Sequence, residues 1–152
     1  GAKAAVEALD TYCGKYSASH EVSFKVTMLK KQVGVDFADL YTQTGVRNAT
    51  QVQIAVPDTA LSDGELEVSW DWILEAHDVS FAATFVPEGG EPRSVQALDR
   101  YPASEGPSSG SFIATVPGVL TLNWDNSHAW ARHKSVQFRV VPQELEMTVT
   151  AT

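Results

Sequence analysis

The chain has 152 residues, 43% of them hydrophobic and 20% charged, enough for one domain with a real core and too apolar for a disordered segment. Its formal net charge of −8, with 11 Lys and Arg spread along the sequence, argues against nucleic acid, because phosphate binding needs a positive face. Apolar runs are only a few residues long, so no segment is suited to span a bilayer, and no charged-then-apolar leader is visible after Gly1.

From the N-terminus, residues 2–16 are Ala-rich, with Val6, Leu9, Cys13 and Tyr16 at spacings of three and four, which predicts an amphipathic helix ending near Gly14. From Glu21 onward the dominant period is two. Glu21 to Met28 places Val22, Phe24, Val26 and Met28 on one face. The stretch from Gly34 to Asn48 is the least patterned and reads as a long loop, with Val35 to Tyr41 fitting either a short helix or a strand. Alternation resumes with Val52, Ile54 and Val56, then Leu66, Val68, Trp70 and Trp72, then Val79, Phe81, Ala83 and Phe85. Further runs present Phe112, Ala114 and Val116; Leu120, Leu122 and Trp124; Val136, Phe138 and Val140; and Leu145, Met147 and Val149. One packed and one wet face per strand is the pattern of antiparallel sheets. Turns such as Ser62-Asp63-Gly64, Pro87-Glu88-Gly89-Gly90 and Pro117-Gly118 punctuate the runs. The expected fold is an all-β, antiparallel two-sheet β-sandwich over 21–152, preceded by a helical segment over 1–20.

The richest segment runs from Gly118 to Val140. A strand with Leu120, Leu122 and Trp124 inward enters Asp125-Asn126-Ser127, whose side chains are suited to bond nearby backbone N–H groups and fix a tight polar turn. A loop with His128, Trp130, Arg132 and His133 follows, and a strand resumes at Lys134. This run resembles the end of a GOLD (Golgi dynamics) domain: a glycine, an alternating strand, a Trp-Asp-Asn-Ser turn, a Lys and an aromatic-x-Val strand. Ser69-Trp70-Asp71-Trp72, His77-Asp78-Val79-Ser80-Phe81 and Phe85-Val86-Pro87 resemble the family's earlier strands. The resemblance covers residues 51–142 and is closest to the cytosolic members, found at the C-terminus of patellin-like CRAL-TRIO lipid-transfer proteins and in Golgi adaptors. It implies a jelly-roll-like sandwich and a non-catalytic protein-binding role within a larger cytosolic protein at Golgi or other endomembranes.

Candidate chemistry is sparse. By parity Trp70, Trp72 and Trp124 belong to the core. Trp130 lies in the loop, either folded back as a lid or exposed as an anchor, with Arg132 and Lys134 beside it as a polar rim. His128 and His133 lack a third ligand nearby in sequence, and His20 and His77 are remote, so no zinc site is expected. Glu65, Glu67 and Asp71 alternate along one strand as a solvated face does, which argues against calcium. Cys13, the single cysteine, falls on the apolar stripe of the expected helix, where a thiol is inert and has no disulfide partner. No catalytic motif is present and no cofactor is expected.

Three functions compete. The first is docking of a protein partner on the loop Asn126, His128, Trp130, Arg132 and Lys134, together with an exposed sheet edge. The second is peripheral membrane association, with Lys25, Lys30 and Lys31 gripping a lipid or phosphoinositide headgroup beside Trp130. The third is a secretory-pathway cargo or carbohydrate binder, which the sequon Asn48-Ala49-Thr50 favours and the single cysteine disfavours.

Overall fold

The computed structural model describes residues 22–25, 41–129 and 132–152. Among them, ten strands form two sheets. In chain order these are β1 Val22–Lys25, β2 Thr42–Val46, β3 Ala49–Val56, β4 Leu66–Leu74, β5 Asp78–Pro87, β6 Arg93–Pro102, β7 Ser108–Ala114, β8 Gly118–Asp125, β9 Lys134–Val141 and β10 Met147–Ala151. One sheet has the order β1-β10-β3-β8-β5-β6 and the other β2-β9-β4-β7, and every pairing is antiparallel.

Inward residues are those the alternation marks. Val52 and Ile54 of β3, Val68 of β4, Val79, Phe81 and Phe85 of β5, Leu120, Leu122 and Trp124 of β8, and Val136, Phe138 and Val140 of β9 are all fully buried. Trp70 and Trp72 are 3% and 2% exposed. Large rings meet at the centre. Trp124 packs against Phe81, Phe138 and Trp72 at centroid distances of 5.3, 5.5 and 6.0 Å, the last edge-on. Each ring of this size removes a large apolar area from water and adds a geometric preference for tilted or edge contacts. The two-sheet sandwich expected from sequence is therefore the observed architecture.

Three local expectations change. Thr42–Val46 is β2, not loop. Its inward positions are Thr42, Thr44 and Val46, so the strand alternates in burial with hydroxyls where a hydropathy pattern looks for apolar side chains. Residues 93–102 form β6, an edge strand with two register shifts against β5 and exposed side chains on most positions, which leaves no clean period of two. Val116 is 39% exposed because β7 ends at Ala114 and the chain has entered a turn. The helix expected over 2–16 lies outside the described residues.

Most connections cross between the sheets, and they gather alternately at two ends. The β2–β3, β4–β5, β6–β7 and β8–β9 connections share one end, termed here the loop end. The β3–β4, β5–β6, β7–β8 and β9–β10 connections share the other, the turn end.

Candidate functional site

The loop end carries the segment singled out by sequence. As β8 closes, the Asp125 carboxylate accepts the Ser127 N–H at 2.7 Å, the local side-chain-to-backbone bond expected of Asp in a turn. A short 3₁₀ turn, Ser127–Ala129, follows, held by Ala129 N–H to Asn126 O at 3.0 Å and Arg132 N–H to Ala129 O at 2.9 Å.

Asn126 is the hub. It is fully buried, and its backbone N–H donates to Asn48 O at 2.8 Å. Its side-chain NH₂ donates to Arg132 O at 2.7 Å and Arg47 O at 2.9 Å, with Ala129 O and Val46 O at 3.3 and 3.4 Å. Two hydrogens serve these acceptors, so the shorter pair defines the bonds and the longer contacts share them. The amide oxygen accepts from Lys134 Nζ, itself 4% exposed. One residue thus ties the β2–β3 turn, the loop and the start of β9.

Charge at this end is locally balanced. Asp78, at the start of β5, faces His128 Nε2 at 3.3 Å and Arg100 Nε at 3.7 Å. Burial works to raise the Asp78 carboxyl, but the hydrogen bond and charge of His128, with Arg100 and Lys134, outweigh it and hold it below its ordinary value. Lys134 is pushed down, first by burial and then by Arg132 and Arg100, while Asp78 pulls it upward.

Asn126 and Lys134 therefore do not belong to a contact surface: both are interior, and they build the loop instead of presenting it. The register Val46↔Lys134 sends the Lys134 stem inward, where the Asn126 amide receives its ammonium. The parity Lys134, Val136, Phe138, Val140 was the signal for this inward position. Arg132 and His133 are exposed, and the His128 imidazole, 22% exposed, leans on Asp78. Trp130 lies outside the described residues. So do Lys30 and Lys31, while Lys25 is described only as the backbone end of β1, beside β10. Asp78 and Arg100, distant in sequence from the loop, were not legible as its neighbours. Among the described residues no three His, Cys, Asp or Glu side chains converge as metal ligands, and no helix is long and apolar enough to cross a membrane.

A second polar group sits on the outer face of the four-stranded sheet. Asp71 accepts from Tyr41 Oη at 2.6 Å and from Arg139 Nε and Nη2 at 3.2 and 2.9 Å, and the Arg139 guanidinium lies 4.7 Å over the Tyr41 ring. The Tyr41 hydroxyl is raised above its ordinary value, first by the bond to Asp71 and then by burial. Asp71 is thus joined to Tyr41 and Arg139 in one polar network.

No protein-family model matches the sequence. Among solved structures, the chain is similar to a mitogen from Yersinia pseudotuberculosis, with 8% identity, a TM-score of 0.41, and coverage of 74% of this chain and 85% of that one. It is also similar to TmCBM61, solved in complex with β-1,4-galactotriose, with 12% identity, a TM-score of 0.45, and coverage of 84% and 91%.

Proposed function

We propose that the chain is a non-catalytic protein-docking module of GOLD type, part of a larger cytosolic protein of membrane traffic or lipid transfer. The observation that carries this reading is the division of labour in the β8–β9 loop. Its buried polar residues, Asn126 and Lys134, hold the backbone in one shape, while Arg132 and His133 face solvent from it. A loop held this way loses little conformational freedom on binding, which favours recognition by a preformed surface. The Trp-Asp-Asn-Ser turn and the spaced strands supply the GOLD resemblance, and with it the endomembrane setting.

The test is affinity capture from cell lysate with the wild-type chain beside an Arg132→Glu/His133→Glu variant. Loss of a captured protein from the variant, with an unchanged circular dichroism spectrum, supports the reading. The same set of proteins on both baits would sink it.

A further inference from the structure

The turn end holds a surface that the docking loop does not use. Along the outer face of the six-stranded sheet, side chains are polar for most of its length. Gln53, Thr121 and Thr84 form one cross-strand row on β3, β8 and β5. The next row of that face toward the turn end is Ala55, Val119 and Val86, in register on the same three strands. Val86 and Val119 are 37% and 36% exposed, so the face turns from polar to apolar at its last row. Exposed single valines are ordinary, but a cross-strand row at the floor of a concavity is a candidate site.

The concavity measures about 580 Å³. Pro57, Pro87 and Pro117, one from each neighbouring turn, line its walls. Proline fixes φ, so these walls are stiff before any partner arrives. Gly118 makes the floor possible: a Cβ there would lie 2.4 Å from Val86 O and 2.7 Å from Phe85 Cζ. The notch is therefore preformed.

Its rim has one sign. Asp58 and Glu88 line it directly. Asp63, Glu65, Glu91 and Glu144 sit on the turns of the same end. Among the described residues of this end the cations are Arg93, held 5.5 Å over the Phe85 ring, and Lys25, which ends β1 opposite Thr148 and does not line the notch. A second copy would bring the same carboxylates against these, and an anionic membrane would be repelled.

We infer that this notch docks a basic-flanked apolar peptide segment from a protein partner: an aliphatic or aromatic side chain enters over Val119 and Val86, and Lys or Arg on either side meets the Asp58 and Glu88 rim. Apolar burial supplies the affinity and the carboxylates select the partner by sign. The site is independent of the β8–β9 loop, so either can fail without the other.

Fluorescence anisotropy of the 152-residue chain with a labelled peptide carrying Leu-Phe between Lys-Arg pairs tests this. Two control peptides replace Leu-Phe by Ser-Ser, or Lys-Arg by Glu-Glu. The basic apolar peptide is expected to bind, both controls to bind at least roughly tenfold more weakly, and added salt to weaken the interaction. Val119→Ser is expected to raise Kd by roughly threefold to tenfold and Asp58→Lys/Glu88→Lys by at least roughly tenfold. Glu105→Gln, at the other end, leaves Kd unchanged. Melting curves that match the wild type show that each variant is folded, and the two notch variants test it separately. Equal binding of either control peptide overturns the inference, as does indifference to both notch variants. Self-association, or binding to zwitterionic vesicles, that Val119→Ser abolishes would assign the notch to a second copy or to lipid and overturn it too.

Discussion

The two ends of this sandwich are made from the same strands and solve opposite problems. At the loop end, Asn126 and Lys134 are polar and buried, so they have partners, and the partners are carbonyls of the loop and of the β2–β3 turn and one another. At the turn end, Val86 and Val119 are apolar and exposed, in a notch whose shape comes from proline and glycine backbone. One end gains its shape by satisfying polar groups internally, which leaves exposed charge for recognition. The other takes its shape from proline, glycine and backbone bonds such as Glu88 N–H to Pro117 O at 2.9 Å, which leaves apolar surface uncovered. Buried polarity thus reads as scaffold and exposed apolarity as contact, the reverse of where chemistry-bearing residue types direct attention in a sequence.

The largest effect should come from crowding the sheet beneath the notch. Gly118→Ala forces a Cβ against the Val86 carbonyl and 2.8 Å from Pro87 Cα, both backbone, and should lower stability by about 3 kcal/mol in urea denaturation. Removing the hub comes next. Asn126→Ala leaves the Arg47 and Arg132 carbonyls without their donor and should lower stability by about 2–3 kcal/mol. Lys134→Met keeps the stem packed and removes the desolvated cation while orphaning the Asn126 amide oxygen, so a loss of about 1 kcal/mol is expected. If Asn126→Ala and Lys134→Met add without coupling in a double-mutant cycle, the hub is two independent contacts and the contrast between the ends weakens.

A pH series probes the loop end from both sides of neutrality. The folded Asp78 carboxyl is held below its ordinary 3.8, so its contribution is present above that value and is lost as pH falls through the lower, folded value. Lys134 is depressed from 10.5, so the folded state binds fewer protons there and stability rises with pH just below that value. Asp78→Asn should flatten the acid limb of the stability profile and Lys134→Met the alkaline limb. Smallest of all, Arg132→Glu should change stability by less than about 0.5 kcal/mol, since the side chain is exposed and its charge is screened by solvent.

The strand period of two was legible wherever inward positions were apolar. Leu66 to Trp72 and Leu120 to Trp124 state their faces without help, because burial of one side of a pleat leaves alternation behind it. The alternation is hidden at Thr42 and Thr44, which are buried hydroxyls, and at β6, whose bulged edge exposes most of its side chains. Asn126 was legible as a turn former but not as a buried hub, because the carbonyls it serves at Val46 and Arg47 lie on another strand pair.

The sequence by itself determined the class of fold, the inward faces and the identity of the core aromatics, since these follow from local periodicity and hydrophobic burial. The tertiary structure decided which residues of the polar loop are scaffold, that Asp78 and Arg100 stand beside it, and that Ala55, Val119 and Val86 form one row. Those are consequences of strand order and register across both sheets. Pairing over long sequence separation is fixed by the cooperative packing of the whole sandwich, and no local pattern encodes it.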